Sequence, residues 1–128
     1  MRDLKSNIDA ALSLAPAART ATAQGSAVDL QGYDGAAALV QFGTWTDGTH
    51  TPSLEESDDG SAFTAVVAAD LVGAFTAVSG SGGSNSVQRV GYIGRKRYLR
   101  AVLTVSGATT GALTAASILR GIAHRQPV

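Results

Sequence analysis

The chain contains no cysteine, which excludes disulfide scaffolds, thiolate zinc sites and cysteine nucleophiles and leaves the redox compartment open. Aromatic residues are scarce at 5% and charged residues reach 16%. Long solvent-exposed helices would need more Glu, Lys and Arg than that. Charge of one sign is missing too. Ten acids offset ten bases, and a formal net charge of zero gives no bulk case for a nucleic-acid binder. No apolar run approaches the roughly 20 residues that cross a bilayer. The opening Met1-Arg2-Asp3-Leu4-Lys5, followed by Asn7 and Asp9, lacks the apolar stretch of a secretory signal. These absences lead us to expect a protein made in the cytoplasm, with no membrane and no direct nucleic-acid partner.

What is present is small: Ala, Gly, Ser and Thr dominate. That composition suits strands that pack closely or face another subunit. A neutral chain gains little colloidal protection from charge, which fits life in an assembly. At 128 residues the expectation is one domain with a sizeable core.

The most organised stretch is Val87 to Val105, which reads as a β-hairpin. On its second arm Leu99, Ala101, Leu103 and Val105 share one face, with Tyr98, Arg100, Val102 and Thr104 on the other. Gly94, able to take positive φ, opens the tip ahead of Arg95-Lys96-Arg97. Five of the ten basic residues lie between Arg89 and Arg100, so this segment offers both core and charge.

Residues 1–26 read as an arm: a short helix capped by Ser6 or Asn7 carries Ile8, Ala11, Leu12 and Ala15 on one side and stops near Pro16. The arm is either a disordered tail or a segment ordered against a neighbour. The body, residues 27–125, begins with a short strand at Val28-Asp29-Leu30. Ala36 to Trp45 reads as a central strand with Ala38, Val40 and Phe42 on one face. Asp47-Gly48 is a hairpin signal. His50 to Ser57 contains Pro52, which places that strand early or on an edge. Further strands are expected at Phe63–Val67, briefly at Phe75–Val78, and at Ala112–Ile122, with one helical turn or loop at 68–73 and a short polar tail at the end (126–128). Seven or eight strands separated by turn signals predict an all-β fold, an antiparallel jelly-roll-like β-sandwich with an extended N-terminal arm.

Few groups offer chemistry. Glu55-Glu56-Ser57-Asp58-Asp59-Gly60 has calcium-binding oxygens but not EF-hand spacing, and its Asp-Asp-Gly is ordinary turn chemistry. His50 and His124 read as surface residues, and no Gly-x-Ser-x-Gly or His-Glu-x-x-His motif is present. Gly80 to Ser84 is glycine-rich without the Lys-Ser/Thr of a phosphate loop. The Arg95-Lys96-Arg97 tip admits three readings: a phosphate contact, a contact with an acidic protein surface, or a solvated loop. No catalytic, cofactor-binding or metal-ligating residue is assigned, and no cofactor is expected.

Two stretches, TDGTHTPSLEESDDGSAFTAV and VQRVGYIGRKRYLRAVLTVSGATTGAL, resemble a family of small virion structural proteins of tailed double-stranded DNA bacteriophages. The likeness covers residues 27–125. Its specific parts are Glu55-Glu56-Ser57-Asp58-Asp59-Gly60 with Phe63, Tyr92-Ile93-Gly94 with Lys96-Arg97-Tyr98, and Ser106-Gly107-Ala108-Thr109-Thr110-Gly111. The resemblance implies a non-enzymatic capsid decoration, or cement, protein: an oligomeric β-sandwich in the virion, seated on the major capsid protein and beside copies of itself. The contacts expected are Leu4, Ile8 and Leu12 in the arm and Arg95, Lys96 and Arg97 at the tip, and removal of the arm should leave the sandwich folded. A place at the head-to-tail neck or in the tail is the alternative. A third reading, a carbohydrate-binding adhesion module, follows from the likeness of the Glu-x-Ser-Asp-Asp-Gly-x-x-Phe segment to discoidin-type sandwiches, as fold evidence only.

Overall fold

The computed structural model describes residues 3–124. Its strands are β1 (Ile8–Arg19), β2 (Ala23–Gln24), β3 (Val28–Asp29), β4 (Tyr33–Trp45), β5 (Thr49–Ser57), β6 (Thr64–Ala65), β7 (Leu71–Val72), β8 (Ser86–Tyr92), β9 (Tyr98–Ser106) and β10 (Ala112–Ala123). Sheet A has the order β1-β10-β4-β8-β7, and sheet B the order β2-β9-β5-β6 with β3 also on β9. All pairings are antiparallel. Among the described residues, helical geometry is confined to single 3-10 turns at Ala68–Asp70 and Ser81–Gly83. No helix among the described residues is long and apolar enough to cross a membrane.

Period-2 patterning explains the core. Ala38, Val40 and Phe42 of β4 point inward, as do Leu99, Ala101 and Leu103 of β9 and Ala112, Ala116 and Ile118 of β10. Leu54 and Val78 complete the layer. Interleaved alanines let the two sheets approach while Leu99, Leu103 and Ile118 fill the gap at 0% exposure. Pro52 lies in β5 where only β9 flanks it, because β6 covers Glu55 and Glu56 alone. A proline without an N–H is therefore tolerated there.

The sequence misleads in how it joins these strands. Val87 to Val105 is not a hairpin: β8 pairs with β4 and β7 in sheet A, whereas β9 pairs with β5 in sheet B. The Asp47-Gly48 turn likewise passes from β4 in sheet A to β5 in sheet B. Glycine-rich turns serve a crossing between layers as well as a hairpin, so local residues do not distinguish the two. Gly94 is not at positive φ. It is required because a Cβ there would strike the Tyr92 hydroxyl. Phe75 to Val78 forms no strand, only an isolated bridge from Val78 to His50.

The N-terminal helix and free arm are overturned. Residues 8–19 are strand β1, laddered along β10 from Ile8↔Gly121 to Arg19↔Ala112. Helical spacing of Ile8, Leu12 and Ala15 coincides with alternation that puts Ile8, Ala10 and Leu12 on one sheet face. An irregularity between Leu12 and Leu14 then turns Ser13 and Leu14 inward, where both are buried. The Ser13 hydroxyl donates to the Ser26 carbonyl at 2.9 Å and accepts from the Ala101 amide at 2.9 Å, joining β1 to the other sheet. The expected tail at 126–128 lies outside the described residues.

His50 is not a surface residue either. It is fully buried, with Nε2 2.9 Å from the Asp47 carbonyl, while Nδ1 has no hydrogen-bond partner among the described residues.

Deletion of residues 1–19 should destabilise the whole domain rather than spare it, because it removes Leu14 from the core and bares β10. Loss of cooperative thermal unfolding checks this. Leu103→Ala should cost about 2–5 kcal/mol in urea unfolding, the range for a fully buried leucine.

Candidate interaction surface

Alternation that sends one side of each strand inward sends the other out, and on sheet A the outer side is apolar. Cross-strand register aligns its rows. Ala10, Leu119, Ala37, Gly91 and Val72 form one, and Leu12, Ser117, Leu39 and Arg89 the next. Ala115, Gln41 and Val87 follow, then Leu113 beside Gly43. Leu113 lies over Gly43, Val72 over Gly91 and Ile122 over Gly35, so side chains from neighbouring strands cover the glycines. Ile122 gets there through a φ of 51°, a strained value for a β-branched residue. Arg89 is the only charged side chain in these rows.

Of the eight large apolar side chains exposed among the described residues, Leu12, Val72, Val87, Leu113 and Ile122 lie on this one face. Four strands about 4.8 Å apart and eight residue steps of about 3.4 Å give it an area on the order of 500 Å². That is the extent of the whole face, with Arg89, Gln41 and Ser117 included, and it is comparable with the largest patches on soluble monomers, which are often functional.

The expected contact residues divide. Ile8 and Leu12 do sit on this face, through strand rather than helix geometry, and Leu4 is exposed in the turn leading into β1. Arg95, Lys96 and Arg97 lie instead at one end of the sandwich. There they border a cup of about 730 Å³ that also takes in Tyr33, Ile93 and Ile122. Two of the three cations are already paired. Lys96 Nζ contacts Asp58 at 2.7 Å, and Arg97 holds both oxygens of Asp29 through Nε at 2.9 Å and Nη2 at 2.7 Å. Arg95 is exposed and has no ion pair among the described residues. Arginine and lysine at this tip therefore shape the loop before they offer charge outward.

The acidic segment also disperses. Glu55 accepts from Arg100 at 2.8 Å, and Arg100 stacks on Phe63 with its guanidinium 4.0 Å from the ring centre. Glu56 is buried and accepts from the Tyr92 hydroxyl at 2.6 Å, across the two sheets. Burial, with this carboxylate beside it, pushes the Tyr92 hydroxyl well above the ordinary tyrosine value. Asp59 accepts from the amides of Ser61 and Ala62 and from the Ser57 hydroxyl, contacts that hold its carboxyl down at about 2. Four carboxylates with four different partners do not converge on a cation, and no cluster of three metal-ligating side chains occurs among the described residues. His124 is exposed, with Nε2 2.8 Å from Asp34.

No protein-family model, curated protein or solved structure matches the chain.

Sequence reasoning missed Leu39, Leu113, Leu119, Val87 and Val72 as surface residues because each sits in a strand that also carries core residues. The available signal was β4 itself: Leu39, Gln41 and Gly43 alternate with the buried set, yet only Gln41 is polar.

The hydrogen bonds from Arg97 dominate at Asp29 and hold its carboxyl at about 2, against an ordinary 3.8. In Arg97→Ala an NMR titration should find Asp29 moved back toward the ordinary value. Because Asp29 and Asp59 both titrate lower folded than unfolded, the stability they contribute is complete above about pH 4–5 and is lost as pH falls toward 2. Acid unfolding followed by circular dichroism should fall in that window.

Proposed function

We propose that this is a non-enzymatic virion structural protein, a capsid decoration protein that lies on the major capsid protein and stabilises the phage head. The observation that supports the reading most is the outer face of sheet A: a largely apolar surface with Arg89 as the single charge in its rows, on a protein with no net charge. Such a surface suits contact with another protein. Binding that exists only in the assembled shell stabilises the shell by mass action, so each subunit can bind modestly while the lattice gains from many copies. The resemblance of residues 27–125 to small phage structural proteins points the same way, and we read the sandwich as jelly-roll-like on that likeness. The adhesion-module reading draws less support: Phe42 and Tyr92 are buried, and Phe63, Tyr33 and Tyr98 lie beneath guanidinium groups rather than forming open platforms.

Copy number per virion tests the proposal. Quantitative mass spectrometry of purified particles should find hundreds of copies in fixed ratio to the major capsid protein. A dozen or fewer would move the protein to the neck or tail, and absence from particles would overturn the proposal.

A further inference from the structure

We infer that the outer face of sheet A docks on a protein surface that is flat, apolar and presents a carboxylate to Arg89, and that this partner is not a second copy of the chain. The inference rests on the decoration reading and specifies the chemistry of the shell surface it requires.

Arg89 decides the occupant. It lies on β8 directly beside Leu39 of β4, and it is exposed with no ion pair among the described residues. None of the chain's ten carboxylate side chains shares its face. Asp9 points inward onto Arg120, and Asp29 is held by Arg97. Asp34 meets His124 at the end of the sandwich, and Asp47 occupies the corner after β4. Glu55, Glu56, Asp58 and Asp59 belong to sheet B and its turn, while Asp3 and Asp70 precede β1 and β7. Laying one copy face to face on another would therefore bury two arginines and no counter-charge, an arrangement that opposes association strongly. A partner with one carboxylate opposite Arg89 turns the same group into an anchor that also fixes orientation.

Area argues the same way. About 500 Å² per side falls short of the roughly 800 Å² per partner typical of a stable pairwise complex. An isolated dimer through this face would be weak, whereas subunits on a repeating lattice gain from simultaneous engagement of their neighbours. The relief is low as well, since glycine, alanine and serine separate the larger side chains. A flat partner surface fits it and a protruding one does not.

The test is co-sedimentation of the purified chain with heads of the same phage that lack it, alongside sedimentation of the chain alone. Val87→Glu and Leu12→Glu alter side chains 59% and 54% exposed, so the fold should persist, as circular dichroism will verify for each. Both, together with Arg89→Glu, should weaken head binding at least about tenfold, while Arg89→Lys stays close to the original and Val67→Glu, off this face, has no effect. If the unaltered chain binds heads and Val87→Glu, Leu12→Glu and Arg89→Glu bind equally well, this docking face is wrong and the decoration reading stands. If the unaltered chain does not bind heads at all, both fall. A dimer of the isolated chain that Val87→Glu separates would make a second copy the occupant and overturn the inference.

Discussion

One carboxylate holds together the two places where the chain changes sheets at the same end of the molecule. Asp47 follows β4, and its side chain accepts from the backbone amides of Thr109 at 3.1 Å, Thr110 at 3.1 Å and Gly111 at 2.6 Å, in the turn between β9 and β10. The Thr46 amide donates to the Gly111 carbonyl at 2.9 Å across the same junction. These amides, that of Gly111 foremost, lower the Asp47 carboxyl below its ordinary range. Pinning the corners fixes how far one sheet is offset from the other, and β5 begins its ladder with β9 only two residues on, at Thr49↔Ser106. Gly111 is needed here, because a Cβ would collide with the Arg19 carbonyl at the end of β1. The His50 ring packs below, against the Asp47 carbonyl. Edge strand, corner turns and core thus meet around a single side chain.

Much of the fold was legible because burial on one side leaves a period of two. β4 and β9 are readable from alternation, and the inward sets of both are the ones expected, whereas β5 and β10 are marked by the turns that bound them. Pairing was not legible. A turn such as Thr46-Asp47-Gly48 has the same local chemistry whether it returns the chain to a neighbouring strand or sends it across the sandwich, and the deciding contact, with Thr109 to Gly111, is more than sixty residues away. β1 was misread for a related reason: in a segment rich in alanine, few large side chains mark the period, and Ile8 and Leu12 fit a spacing of four as well as one of two. His50 shows the limit for single residues, since nothing beside it in sequence reveals that its backbone pairs with Val78 or that its ring lies in the interior.

The surface was half legible. Low charge was visible as a property of the whole sequence, but the structure shows it to be uneven. Arginine, lysine and the acids gather at the sandwich ends, on sheet B and on the inward side of sheet A, where they pair: Arg100 with Glu55, Lys96 with Asp58, Arg120 with Asp9. Of these only Lys96–Asp58 is well exposed, and an exposed pair adds little stability individually. The greater effect of the pairs is on placement, because collecting charge elsewhere leaves Arg89 as the one charged side chain in the rows on the outer side of sheet A. The surface that supports the decoration reading is defined as much by where charge has been removed as by what remains.

The boundaries of the sheets carry a separate consequence. A long flat edge strand invites pairing with another chain and growth into fibres. Three of the outermost strands here, β2, β6 and β7, are two residues long. The fourth, β1, is twelve residues long but is interrupted by two register shifts, with Pro16 inside the second. Beyond those short caps the rim passes to β5, where Pro52 interrupts the edge, and to the first half of β8, so sheet pairing between subunits is restricted along β1 and at Pro52 while side-chain contact across the broad surface is left open. Growth by continuation of the sheets thus meets its obstacles at Pro16 and Pro52, the two prolines that stand in edge-facing strands. Contact through the broad face meets none, and the geometry of an array built through that face would be set by the surface it lies on.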